Sequence, residues 1–223
     1  VANDPAANRP APPGDLPRAL HARHPLRYRG GPYRDRATLL ADLAAIVNAE
    51  LRALVQAGAG FLRIDEPSFV MLHGGDALGQ VALFNRTVDG VRATLALHVG
   101  FGNLHNNSFA SLRGYRALFP ALLDARCDQF VFEVANREMA ELDLLSEATD
   151  RQVAVGVVDV KAFGETPDEV AGRLRRALSV VPAERRWAVP DCGLWATPRP
   201  SAVGKLRALV AGARLGRRGL GLA

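Results

Sequence analysis

Cysteine, tryptophan and methionine occur only twice each in this 223-residue chain, and Lys161 and Lys205 are its only lysines. Two cysteines, Cys127 and Cys192, cannot build a disulfide framework, so a reducing, cytoplasmic location is expected. No run approaches the roughly 18 apolar residues of a membrane span, and the N-terminus lacks the charged-then-apolar layout of a secretory signal. The formal charge is +5 and the pI about 9.8. The excess is arginine, scattered among acids, as in Arg173, Arg175 and Arg176 after Asp168 and Glu169. With no basic cluster interleaved by aromatics, nucleic acid is not an expected partner. Gly100-Phe101-Gly102 lacks the third glycine of a dinucleotide loop.

What remains is an ordinary globular composition, 48% hydrophobic and 23% charged, long enough for one sizeable core. Residues 1–32 hold seven prolines and no apolar period, which predicts an irregular or disordered segment. The first residue is Val, which fits a non-standard start codon or a boundary inside a longer gene. From Asp35 a helix is expected, with Leu39, Leu43, Ile46, Val47, Leu51, Leu54 and Val55 at three- and four-residue steps and Gly58 ending it.

Beyond it, strands are predicted at 61–65, 93–98, 129–134, 153–159 and 186–190. Helices are predicted near 76–88, 112–126, 138–148, 167–180 and 200–213, with a His73-Gly74-Gly75 loop before the first. Thr166-Pro167-Asp168-Glu169 reads as a capping box with proline in the first turn. This alternation predicts an α/β fold with a parallel sheet. Five strands fall short of the eight of a closed barrel. The expectation is an incomplete (β/α)8 TIM-barrel type of about five βα units. It divides into residues 1–32, the barrel part 33–214, and a flexible Arg/Gly tail 215–223.

Three of these strands end in groups that can bind a metal. The run 93–98 ends in His98, the run 129–133 ends in Glu133, and Val189-Pro190 leads to Asp191-Cys192-Gly193. One imidazole, one carboxylate and one thiolate at successive strand ends make a plausible catalytic zinc set with an open fourth position. Each also has a plain alternative: a hydrogen-bonded core histidine, a glutamate paired with Arg137, and an inert thiol.

At these residues the chain resembles a family. Ile64-Asp65-Glu66-Pro67, His98 with Phe101-Gly102-Asn103, Glu133, and Pro190-Asp191-Cys192-Gly193-Leu194 are similar to the C-terminal catalytic domain of cobalamin-independent methionine synthase. The similarity runs from about Tyr33 to Arg214. It implies a (β/α)8 barrel holding one zinc, His98, Glu133 and Cys192 as metal ligands, and a methyl-folate donor that methylates homocysteine or another small thiol. It also implies that Asp65, with Glu66 beside it, contacts the substrate's amino group. Asp159 and Lys161 fall where the family carries an aspartate and a proton-donating histidine.

Two departures stand out. The family's His-x-Cys is here His98-Val99-Gly100, so one zinc thiolate is missing and the zinc site is weakened. Losing it makes the centre formally neutral, which should hold a substrate thiolate more tightly and leave it less nucleophilic. His105 could in principle contribute, whereas Cys127, placed before its strand, is expected in the core. The strands that precede Ile-Asp-Glu-Pro in the family are not recognisable. The alternatives are therefore a related zinc-dependent thiol alkyltransferase, or a non-catalytic barrel fragment that another chain completes.

Overall fold

The computed structural model of the protein describes residues 32–71, 76–101, 114–148, 150–195 and 197–221. The expected irregular stretch before Pro32, the His73-Gly74-Gly75 loop, Gly102, Asn103 and His105 lie outside them. The chain separates into two units, 1–39 and 40–223. In the described part of the first, Asp35 accepts the backbone N–H of Thr38 at 2.8 Å and so caps the start of a helix.

The elements are α1 (Arg36–Gln56), β1 (Phe61–Asp65), α2 (Ser68–Met71), α3 (Ala77–Thr87), β2 (Thr94–Val99), β3 (Gln129–Phe132), β4 (Gln152–Val158), α4 (Pro167–Ala177), β5 (Arg186–Pro190) and α5 (Arg199–Gly219). All five strands lie parallel in one sheet, in the order β1-β2-β3-β4-β5. Strand order equal to chain order is what successive βα units produce when each crossover returns beside its predecessor.

Two expected helices are absent. In place of the helix at 112–126, the described part from Gly114 holds 3₁₀ turns at Arg116–Leu118 and Ala121–Asp124. Pro120, between them, has no N–H to continue a helix. In place of the helix at 138–148, 3₁₀ turns occupy Ala135–Arg137 and Leu142–Ala148. Glu138, Met139 and Glu141 between them have φ of 52°, 60° and 56°, a left-handed excursion that ends any right-handed helix. The last helix runs on to Gly219, past the expected end at 213. The capping box of α4 forms as read: Glu169 N–H bonds Thr166 Oγ1 at 3.2 Å, and Thr166 N–H bonds the Glu169 carboxylate at 2.7 Å.

Side chains alternate across a strand, so each strand serves two environments. On the helix-covered side Leu95, Leu97, Val99, Phe130, Phe132, Val153, Val155 and Val157 join the main core with Val170 and Leu174 of α4. On the other side lies a separate small cluster, Ala96, Val131 and Ala154, with Val189 against it. The first face is large and aliphatic because it buries helices. The second is small, and carries polar groups at the strands' carboxyl ends.

Among the described residues, β1 and β5 each pair with one strand only. Phe61 on β1 and Trp187 on β5 are 53% and 57% exposed, and Ile46 on α1 is 63% exposed. Unpaired strand edges beside apolar surface favour pairing with another chain. The isolated chain is therefore expected to self-associate, with light scattering reporting species larger than a monomer. A monodisperse monomer with a cooperative melt would contradict this. None of the described helices is long and apolar enough to cross a membrane.

Candidate functional site

The polar groups gather at the carboxyl edge of the sheet because the strands are parallel and stop in step. Asp65 at the end of β1 stands in register with His98 near the end of β2, and His98 with Val131, two residues before Glu133. Alternation puts His98 on the face of Ala96, and Glu133 on the face of Val131.

His98 is 3% exposed and Glu133 fully buried. His98 Nδ1 lies 2.9 Å from Asp65 Oδ1, while Nε2 lies 3.2 Å from the Asp191 carbonyl oxygen and 3.4 Å from Glu133 Oε1. Burial works against a charged imidazole, but the carboxylates of Asp65 and Glu133 outweigh it and raise the His98 pKa to about 9. Asp65 is held below the usual carboxylate range, chiefly by its hydrogen bond with His98. It also accepts from Arg63 Nε at 3.1 Å, and its side chain is 58% exposed. Glu133 Oε1 is buried without a hydrogen-bond partner, and Nε2 of His98 faces it slightly beyond hydrogen-bond distance for good geometry.

Glu133 is held from its backbone. Its N–H donates to Tyr115 Oη at 2.7 Å, and the same hydroxyl donates to the Val99 carbonyl at 2.9 Å, joining the ends of β2 and β3. Tyr115 is fully buried, and the Arg137 guanidinium lies 4.8 Å from its ring centre while pairing with Glu141 at 2.6 Å. The plain alternative that gave Arg137 to Glu133 thus has a competing partner in Glu141. Glu66 N–H, after β1, bonds the His98 carbonyl at 2.8 Å.

Cys192 is half-buried and directly follows Asp191, whose carbonyl touches His98. Burial, then the nearby Glu133 carboxylate, pushes its thiol up to about 11. The structure thus brings His98, Glu133 and Asp65 into contact and places Cys192 on the adjoining turn. Among the described residues, however, no three His, Cys, Asp or Glu side chains stand in metal-holding geometry.

Asp159 and Lys161 follow β4. Asp159 Oδ1 accepts Lys161 N–H at 2.8 Å, and Asp159 N–H donates to Glu165 at 2.7 Å, so both belong to the turn before α4. Cys127 lies before β3, at the opposite end of the sheet. It packs against the core, and burial raises its thiol to about 11.

The fit of a cation can be tested on Gly100. A Cβ built there would stand 2.9 Å from Glu133 Oε1, 3.6 Å from His98 Cε1 and 3.7 Å from His98 Nε2. A side chain at position 100 would therefore enter the space between these two donors. A buried, unbonded carboxylate oxygen opposite an imidazole nitrogen is a donor pair suited to a divalent ion. Two zinc-type donors, His98 and Glu133, converge here, while Cys192 lies on the adjoining turn.

Two contributors lie outside the predicted site: Tyr115 carries no signal in the sequence, and Asp191 carries one only as part of the Pro-Asp-Cys-Gly run.

Comparisons with known proteins identify the family to which the chain is similar. A family model described as "Cobalamin-independent synthase, Catalytic domain" matches residues 28–215. The methionine synthase of Thermococcus kodakarensis is 35% identical over 189 residues, covering 84% of this chain and 53% of that protein. That of Saccharolobus solfataricus is 34% identical over 187 residues, covering 83% and 53%. The chain spans about half the length of these relatives. Among solved structures, a B12-independent methionine synthase from Shewanella sp. W3-18-1, in complex with selenomethionine, superposes with a TM-score of 0.77 at 29% identity, covering 84% of this chain and 57% of that one. A putative vitamin-B12-independent methionine synthase from Listeria monocytogenes, at 17% identity and a TM-score of 0.53, shares the fold. The Shewanella neighbour is a TIM barrel, and five parallel strands in chain order are five units of that architecture.

Proposed function

We infer the function from one premise: this chain belongs to the cobalamin-independent methionine synthase family, matched over the catalytic domain. The function it supports best is a zinc-dependent methyl transfer of the methionine-synthase type, from a methyl-folate to the thiol of homocysteine or another small thiol. The observation that carries this reading is the buried Glu133 Oε1 facing His98 Nε2 at 3.4 Å, at the carboxyl edge where barrel enzymes place their chemistry.

His98, Glu133 and Cys192 would hold the metal. Zinc bound there supplies the acidity that turns a substrate thiol into a thiolate at neutral pH. The remaining work falls to the chain. Asp65 fixes the imidazole through Nδ1, so that Nε2 is the nitrogen turned toward Glu133. Tyr115 fixes the Glu133 backbone, and the exposed part of the Asp65 carboxylate, with Glu66 beside it, suits a substrate ammonium. Asp159 and Lys161, on the turn after β4, are the further catalytic candidates, at the positions where the family carries an aspartate and a proton-donating histidine.

The test is calorimetric titration with homocysteine, with and without one equivalent of zinc. One homocysteine per chain, only when zinc is present, and none for His98→Ala is the expected result. Equal uptake with and without zinc would overturn the reading. A second reading, in which further βα units from outside these five strands complete the site, is favoured by the single pairing of β1 and β5.

A further inference from the structure

Asp191 is 1% exposed and directly follows β5. Its Oδ1 accepts the N–H groups of Val134 at 3.1 Å and Ala135 at 3.0 Å, and its Oδ2 accepts that of Asn136 at 2.7 Å. These are the three residues immediately after Glu133. Successive backbone N–H groups turned toward one carboxylate form an anion-binding concavity that calls for both oxygens. An asparagine would offer one acceptor oxygen and turn an N–H toward the N–H of Asn136.

To reach the end of β3, the Asp191 side chain crosses β4 at Gly156. A Cβ there would stand 2.0 Å from Asp191 Oδ1 and 2.9 Å from the Phe132 carbonyl oxygen, so a side chain at this position would displace the carboxylate. Meanwhile the Asp191 carbonyl oxygen lies 3.2 Å from His98 Nε2, and its peptide leads into Cys192. One residue thus grips the segment behind Glu133, touches His98 and carries Cys192.

We propose that Asp191 is a positioning residue which, reaching across the gap at Gly156, sets Glu133 against His98 and holds Cys192 on the adjoining turn. This rests on the zinc reading for its purpose, though not for its geometry. Outer partners of metal ligands typically govern affinity by about 10- to 100-fold.

The experiment compares the full chain with Asp191→Asn, Asp191→Ala and Gly156→Ala, by amide hydrogen exchange and by zinc competition against a chelator. Asp191→Asn should expose the Asn136 amide to exchange while Val134 and Ala135 stay slow. Asp191→Ala and Gly156→Ala should release all three. Zinc affinity should fall about tenfold in the first and about a hundredfold in the others. Unchanged protection at 134–136 would overturn the proposal. So would release of these amides with unchanged zinc affinity, since that marks a purely structural residue. If the parent binds no zinc, the functional reading fails separately. The positioning claim then turns on the Glu133 carboxyl carbon resonance, which must shift in Asp191→Asn and would refute the claim by staying still. Should the alanine variants fail to fold, the near-isosteric Asp191→Asn carries the same test through its single-amide pattern.

Discussion

Gly100→Cys is expected to bind zinc about thirtyfold more tightly than the parent chain, the net of a ligand gain of about 3 kcal/mol and a packing cost of about 1 kcal/mol. A Cβ at position 100 points between Glu133 Oε1 and His98 Nε2, at 2.9 and 3.7 Å. A thiolate one bond further out would add a donor beside both. Structural zinc sites owe on the order of 10 kcal/mol or more to their ligands together, so one recovered thiolate should contribute about 3 kcal/mol, and about 1.4 kcal/mol corresponds to tenfold.

Of the two costs such a change can carry, only one applies. Left-handed backbone would resist a side chain, but the described glycines with positive φ are Gly58, Gly90 and Gly221, so Gly100 carries no such penalty. The 2.9 Å approach requires the Glu133 carboxylate to yield by a few tenths of an ångström, a cost of about 1 kcal/mol at the end of a side chain. The ligand gain is larger. Gly100→Ser adds the same Cβ without a thiolate and should gain nothing. Chelator competition on all three proteins measures this. A Gly100→Cys protein no tighter than its parent would remove position 100 from the site.

The largest loss of stability is expected from Glu165→Ala, about 3 to 5 kcal/mol, the usual cost of stranding a buried charge. Glu165 is 3% exposed in its side chain and lies between two cations, Lys205 Nζ at 3.3 Å and Arg173. Lys205, on α5, is fully buried in its side chain and also donates to the Asp159 carbonyl at 2.7 Å. Glu165 in turn accepts the Asp159 N–H. Removing the carboxylate leaves an ammonium in the interior without its counter-ion and an amide without its acceptor. Adding Lys205→Met to Glu165→Ala should recover part of the loss, because it removes the stranded charge. Urea unfolding of the two variants and the parent decides it. A Glu165→Ala midpoint close to that of the parent would show that the cluster contributes little.

The five strands were legible because each is a short apolar run bounded by polar or turn residues, and a parallel strand buried on both faces needs little else. The ends of those runs were equally legible: His98 and Glu133 stand out as single polar residues set into otherwise apolar runs. The segments expected as helices at 112–126 and 138–148 were not. Their apolar spacing suits a helix, but Pro120 interrupts one, and left-handed Glu138, Met139 and Glu141 interrupt the other. No glycine marks that second break, so nothing local announces it. The supports of the site were hidden for a different reason. Tyr115 Oη meets Glu133 across 18 positions, and Asp191 meets Val134 across 57, through a gap that exists only because Gly156 lacks a side chain. Such contacts belong to strand order and register, which a single sequence does not display residue by residue.

The claim on which the account rests is that His98, Glu133 and Cys192 act on one metal ion, and zinc K-edge X-ray absorption of the loaded chain tests it most directly. The account predicts one sulfur at about 2.3 Å with nitrogen and oxygen donors at about 2.0 to 2.2 Å. The sulfur should disappear in Cys192→Ser and become two in Gly100→Cys. A first shell of nitrogen and oxygen alone in the parent, unchanged by Cys192→Ser, would contradict it.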